Sequence, residues 1–199
     1  MARTQAADYE QRREAIVEKA AHLFASTGFM GASVSDLAGA CKTSKSLIYH
    51  YYPSKEDILY AVMASHVDQL NEDVAKVMAR DAPATELLRE MVHAFMNHYL
   101  DAADRQKVLL NELDRLPADK RQAIVAKQRR IIDAVARLIG EADTTLAADP
   151  NRVRVQTMLL FGMINWTHTW FNPAGPVSAD QLADMAVELV LPRRAAQAS

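Results

Sequence analysis

The sequence predicts an all-α protein of about nine helices, and three observations predict it. Apolar residues recur at spacings of three and four along most of the chain, and no convincing stretch alternates apolar with polar as a half-buried strand would. Serines at 33, 54 and 178 stand in front of periodic runs, where a side-chain oxygen can cap free N–H groups, while Gly or Pro closes several of those runs. Half of the 199 residues are hydrophobic, with only six glycines and seven prolines, which suits a globular chain and not a disordered one.

Ile16, Ala20, Leu23, Phe24 and Thr27 mark a first helix from about Tyr9, which Gly28 ends in the left-handed conformation. Ser33, with Asp36 three residues on, caps a short second helix to about Cys41. The polar break Lys42-Thr43 leads to a third helix, Ser44 to Tyr51, stopped by Pro53. Ser54, again with an acid three residues later at Asp57, caps a long fourth helix to about Arg80. Beyond Pro83 come a helix near Thr85 to Ala102, a shorter one from Arg105 to Leu116 ended by Pro117, and "ADKRQAIVAKQRRIIDAVARLIG", closed by Gly140. Pro150 opens the next, through Phe171, and "NPAGP" breaks it. Ser178 caps the last, to about Leu191, and the tail "RRAAQAS" is expected to fray.

The first three helices are short or medium, as in a small trihelical unit, and the later ones are longer and richer in methionine. We therefore divide the chain into residues 9–55 and 56–192. Methionines 91, 96, 158, 163 and 185 suit a pliable interior or a ligand cavity. The formal charge of −2 means that any basic surface is local. The single cysteine, Cys41, excludes an internal disulfide, fits a reducing compartment and is expected to fill the packing between the first helices. The N-terminus is polar, and the apolar run "MLLFGMI" is far below the roughly 20 residues of a membrane span, so a cytoplasmic chain with no membrane partner is expected. Histidines 22, 50, 66, 93, 98 and 168 form no i, i+4 pair. HExxH, a nucleophile elbow and a Gly-rich phosphate loop are all missing, so neither enzyme nor metal nor cofactor is expected.

One stretch departs from the average. "SKSLIYHYYPSKEDIL" sets Tyr49, His50, Tyr51 and Tyr52 in consecutive positions between Lys45 and Lys55, and no acid occurs from Leu37 through Lys55. On a helix, Ile48 and Tyr52 share the face that should pack on the first helix. Lys45, Ser46, Tyr49 and His50 then lie mostly on the other side. Such a face offers charge and hydroxyl donors to phosphate oxygens and base edges, and a preceding helix and tight turn make a helix-turn-helix. Lys55 stands at the start of the fourth helix, where free N–H groups also favour a phosphate. Solvated lysines and core tyrosines are the plainer reading, which we accept for Tyr52.

Residues 11 to 60 resemble the DNA-binding domain of the tetracycline-repressor (TetR) family, through "AAHLFASTGF", "SVSDLAGAC" and "LIYHYYPSKEDIL". The resemblance implies phosphate contacts from Tyr49, His50, Tyr51, Lys55 and the Ser33 hydroxyl, and base contacts from Ser44, Lys45, Ser46 and Leu47. The family usually has Gly-Val where this chain has Lys42-Thr43, so Lys42 is expected at positive φ, with its charge near the DNA backbone. The candidate DNA-binding set is thus Ser33, Lys42, Thr43, Ser44, Lys45, Ser46, Leu47, Tyr49, His50, Tyr51 and Lys55. The family further implies a homodimeric transcriptional repressor that a small organic effector releases from a palindromic double-stranded operator. The effector would act by shifting the fourth helix.

"LLNELDRLP", "QRRIID" and "FGMINWTHTWFNPAGPVS" are similar to the branch of that family that answers to acyl-CoA effectors. The candidate ligand set is Phe95, His98, Tyr99, Glu112, Arg129, Arg130, Met158, Phe161, Asn165, Trp166 and Trp170. Trp166 and Trp170 share a face that suits either a cavity wall or core and dimer packing. Arg129 and Arg130, with Arg121 and Lys127, suit either CoA phosphates or a solvated helix face. Val155, Leu159, Gly162 and Met163, with Leu182, Met185, Ala186 and Leu189, are expected to line a dimer seam. A regulator answering to a hydrophobic drug or free acid, and an all-α ligand-binding protein or enzyme with no DNA role, stay open as alternatives.

Overall fold

The computed structural model describes residues 2–191. Among them it has ten α-helices and no strand. They are α1 (Ala2–Gly31), α2 (Val34–Ala40), α3 (Lys45–Tyr51), α4 (Lys55–Met78), α5 (Ala84–Asp101), α6 (Ala103–Glu112), α7 (Ala118–Ala142), α8 (Thr144–Ala147), α9 (Pro150–Trp166) and α10 (Ala179–Val190). The tail expected to fray lies outside the described residues. No helix among them is long and apolar enough to cross a membrane.

The chain forms two compact units that cut it differently from a boundary after residue 55. One unit takes residues up to Asp68 together with Ala102–Ala126; the other takes Gln69–Asp101 and the residues from Lys127 on. The physical reason lies in α6, which packs along α1. Its Val108 and Leu109 are buried in the same unit as Val17, Ala20, Phe24, Leu37 and Ile48. Polar contacts add to this packing. Asp104 lies 2.9 Å from His22 Nδ1, and Arg105 pairs with Glu14. His66 of α4, fully buried, is joined at 2.7 Å to Gln106 of α6.

Within the first unit the serine caps form as their local chemistry dictates. Ser33 Oγ accepts the Asp36 N–H at 3.1 Å while Asp36 Oδ2 accepts the Ser33 N–H at 2.9 Å. Hydrogen bonds from Ser33 hold the Asp36 carboxyl below its ordinary pKa. Ser44 Oγ accepts the Leu47 N–H, and Ser54 Oγ the Asp57 N–H. Helix α1 begins well before Tyr9, and Gly28 breaks it at φ +74°, ψ 156°, a conformation open to glycine, before one more turn to Gly31. Lys42 stands at φ +51°, as its place in the turn predicts. The Lys42 N–H reaches Gly39 O at 3.0 Å and the Thr43 N–H reaches Ala38 O at 2.9 Å, the bond pair of a helix end that normally carries glycine at this position. Cys41 is half-buried, and burial raises its thiol pKa.

The second unit is built on α5, α9 and α10, with Leu88, Met91, Phe95, Leu138, Ile139, Leu160 and Ala183 almost wholly buried. Three sequence expectations are corrected here. Gly140 does not close α7, which runs on to Ala142 because buried Leu138 and Ile139 hold its last turn. The extra helix is α8, capped by Asp143, whose carboxylate accepts the Thr145 N–H at 2.9 Å. Helix α9 ends at Trp166 instead of Phe171. There Thr167, His168 and Thr169 turn their side chains back onto the carbonyls of Ile164, Asn165 and Trp166, and the chain tightens into a 3₁₀ turn.

Candidate nucleic-acid interface

The residues of "SKSLIYHYY" divide between two faces of α3 because the helix repeat sends every third or fourth side chain inward. Ile48 is fully buried and Tyr52 is 4% exposed. The Tyr52 hydroxyl donates to Arg13 O of α1 at 3.4 Å, and burial raises its pKa. Lys45, Ser46, Tyr49 and His50 are exposed. One short helix thus turns an ammonium, a hydroxyl, a phenol and an imidazole outward, anchored behind by an aliphatic and an aromatic residue.

The other predicted DNA contacts belong to the same unit. Ser33, Lys42 and Ser44 are exposed, and Thr43, Leu47, Tyr51 and Lys55 are half-buried. The Ser33 hydroxyl donates its one proton to Asp36 Oδ2 at 2.6 Å, so it reaches a phosphate only by turning away from that carboxylate. Lys55 Nζ sits 4.2 Å from the centroid of the Phe29 ring, so the ring steers the ammonium without consuming its N–H donors. Two residues that sequence reasoning missed support the cluster. Tyr9 of α1 packs 4.8 Å from Tyr51 and edge-on to His50 at 6.4 Å, and buried Phe29 carries Lys55. An aromatic in the otherwise polar run "DYEQRR" was the available signal for Tyr9.

In the second unit the predicted ligand residues separate into distinct places. Phe95, Tyr99 and Phe161 come together inside, with Phe95 stacked on Tyr99 at 6.3 Å and 6.2 Å from Phe161. His98, half-buried, lies 4.0 Å from Asp73, and Asn165 is half-buried on α9. Arg129 and Arg130 are exposed on α7. Met158, Trp166 and Trp170 are outside, at 50%, 64% and 58% exposure. Those three line an apolar groove of about 490 Å³ between α9 and α10, shared with Leu159, Gly162, Met163, Leu182, Met185, Ala186 and Leu189. All but Val155 of the predicted dimer seam are therefore in the groove lining, and Val155 is itself 57% exposed.

Glu112 is the one predicted ligand residue that belongs to the first unit. It does not line this groove. Its Oε1 accepts the Phe29 N–H at 3.0 Å and its Oε2 lies 3.7 Å from Arg115. Sequence spacing gives no hint of a contact spanning 83 positions. No group of His, Cys, Asp and Glu among the described residues could hold a metal ion.

Comparison with known proteins identifies the family of the chain. Residues 16–62 match the family described as bacterial regulatory proteins, tetR family, and residues 81–193 match the tetracyclin repressor-like C-terminal domain. A TetR-family transcriptional regulator from Bordetella parapertussis is 40% identical, covers 90% of this chain and 94% of its own, and superposes with a TM-score of 0.86. AibR, solved in complex with isovaleryl coenzyme A and operator DNA, is 27% identical over 91% of this chain and 98% of its own, with a TM-score of 0.81. The HTH-type transcriptional repressor KstR2 of Mycolicibacterium smegmatis is 25% identical over 90% of this chain and 89% of its own. With both of its parts matched and a relative of this identity over nearly its whole length, the chain belongs to the TetR family of transcriptional regulators, and it is not an enzyme.

Proposed function

We propose that this regulator is a homodimeric repressor that grips a two-fold operator through α3 and leaves it when an acyl-CoA thioester binds in the second unit. The carrying observation is the outward face of α3: Lys45, Ser46, Tyr49 and His50 are exposed on a helix anchored by Ile48 and Tyr52. Early positions of such a helix read base edges, and Ser33, Tyr51 and Lys55 around it serve phosphates. The apolar groove of α9 and α10 supplies the two-fold seam, and a palindromic site mirrors that symmetry. In this reading Met158, Trp166 and Trp170 belong to the seam. Phe95, His98, Tyr99, Phe161 and Asn165 face the effector, while Arg129 and Arg130 are offered to its phosphates. The thioester class is supported by the isovaleryl coenzyme A in the AibR complex, and the repressor sense by the KstR2 name.

Residues 68 and 69, where one unit gives way to the other, lie within α4. An effector therefore acts on the first unit through a continuous helix, and it does so only by binding the released state more tightly. The test starts with duplex selected from a randomised pool by the wild-type chain. Anisotropy should show release by short-chain, fatty or aromatic acyl-CoA thioesters and none by the matching free acids at equal concentration. Equal potency of the free acids overturns the thioester class, and a reporter that falls silent on deletion of the gene overturns the repressor sense.

A further inference from the structure

Helix α6 meets α1 at a place where the backbone of α1 is interrupted. Gly28 takes φ +74°, ψ 156°, and the Phe29 N–H finds its acceptor outside α1, in Glu112 Oε1 at 3.0 Å. A Cβ at Gly28 would stand in contact with that oxygen at 3.4 Å, and the positive φ itself favours glycine there. Two candidate phosphate contacts flank the capped residue. The Phe29 ring, 4% exposed and edge-packed on Phe24 at 5.4 Å, carries Lys55 Nζ at 4.2 Å. Four residues beyond Phe29 stands Ser33, the cap of α2.

An acid serves poorly beside a phosphate grip, since its charge repels the DNA backbone. Glu112 offsets that cost, because its carboxylate accepts the Phe29 N–H on one oxygen and faces the Arg115 cation at 3.7 Å on the other. We infer that Glu112 is a positioning residue for DNA binding: by capping Phe29 it fixes the ring that aims Lys55. The inference rests on the DNA-binding reading above and adds to it a residue that touches no nucleic acid.

The test compares Glu112→Ala with Glu112→Gln, which keeps an acceptor oxygen. Affinity for the selected duplex is measured by anisotropy across a salt series, with circular dichroism as the check on folding. Glu112→Ala should weaken binding by roughly tenfold, the scale of one lost hydrogen bond to a charged group. Its salt slope should fall by about one unit, as if Lys55 had left its phosphate. In that background Lys55→Ala should cost little more, because the two residues act as one unit. Glu112→Gln should keep most of the affinity. The Phe29 amide should exchange faster in Glu112→Ala with no DNA present. Should Glu112→Ala fold poorly, Phe29→Leu keeps the amide, removes the ring and should reproduce the lost salt slope. Wild-type affinity and slope in Glu112→Ala, or in Phe29→Leu, overturns the inference while leaving the DNA-binding reading intact, as do fully additive losses with Lys55→Ala. A wild-type chain that selects no duplex and binds none at low salt overturns both.

Discussion

Lys120 Nζ lies 2.5 Å from Asp57 Oδ1, so a cation in the first turn of α7 reaches the first turn of α4 across 63 positions of sequence. The hydrogen bond from Lys120, with that from Ser54, holds the Asp57 carboxyl below its ordinary pKa. A depressed carboxyl stabilises the fold fully above the unfolded carboxylate range, about pH 4 and upward, and loses that contribution as pH falls through the lower folded value. Lys120→Ala should destabilise the protein by about 0.5–1 kcal/mol at pH 7, the scale of a partly exposed pair. The gap from wild type should close in acid, and denaturant titrations at pH 7 and below pH 4 measure it. A gap that widens in acid contradicts the pairing.

Exposure of both Lys45 and Tyr49 on α3 does not make them equivalent. Lys45 stands at the first position of the helix, where an ammonium can reach guanine acceptors. Lys45→Ala should change which bases are preferred across single-site variants of the operator. Tyr49→Phe should instead lower affinity for all of them by a similar factor of a few, about 1 kcal/mol for a neutral hydrogen bond. Competition binding on a library of variant duplexes separates the two patterns, and a uniform loss from Lys45→Ala would reduce it to a backbone contact.

Gly162 tests the seam, because a Cβ built there meets nothing within 4 Å in the single chain. Gly162 is exposed and lines the groove, so Gly162→Leu should leave the protomer fold intact, and it improves helix propensity by nearly 1 kcal/mol. Against a second copy the same side chain blocks close approach. Light scattering should give twice the 22.1 kDa chain mass for the wild type and a shift toward the single mass for the variant, at unchanged helical signal. Dimers of undiminished affinity would move the seam elsewhere.

Lys42 occupies a helix end that favours glycine, at φ +51°. Lys42→Gly should relieve this and stabilise the fold by about 0.5–1 kcal/mol, or roughly 2 °C in melting temperature. If the ammonium also serves a phosphate, operator affinity should drop and the salt slope fall by about one unit in the same variant. A more stable protein with unchanged salt dependence would assign Lys42 to the turn alone.

The parts legible in the sequence were those written within a few residues of one another. Ser33 with Asp36 and Ser54 with Asp57 announce their caps because the interacting groups are three positions apart. The Ile48 and Tyr52 face could be read for the same reason. Gly140 misled because a glycine ends a helix only when packing does not carry the helix past it, and Leu138 and Ile139 do. The end of α9 was missed because its 3₁₀ turn depends on which way three polar side chains bend. Trp166 and Trp170 were legible as neighbours, but the groove between α9 and α10 that both line was not, because it depends on how two helices distant in sequence pack. The contact of Glu112 with Phe29 was not legible, because the two stand 83 positions apart and nothing near either one signals the other.

The exposed apolar groove has a consequence for dosage. On the dimeric reading, the reader of the operator is a pair of chains, and at low abundance the number of pairs rises with the square of the number of chains. Burial of Leu159, Trp166 and Leu189 in that pair also makes folding stability rise with concentration, since the partner binds only the native state. A modest change in synthesis rate would then move the regulated gene by more than its own proportion, a steepness that comes from one uncovered groove between two helices.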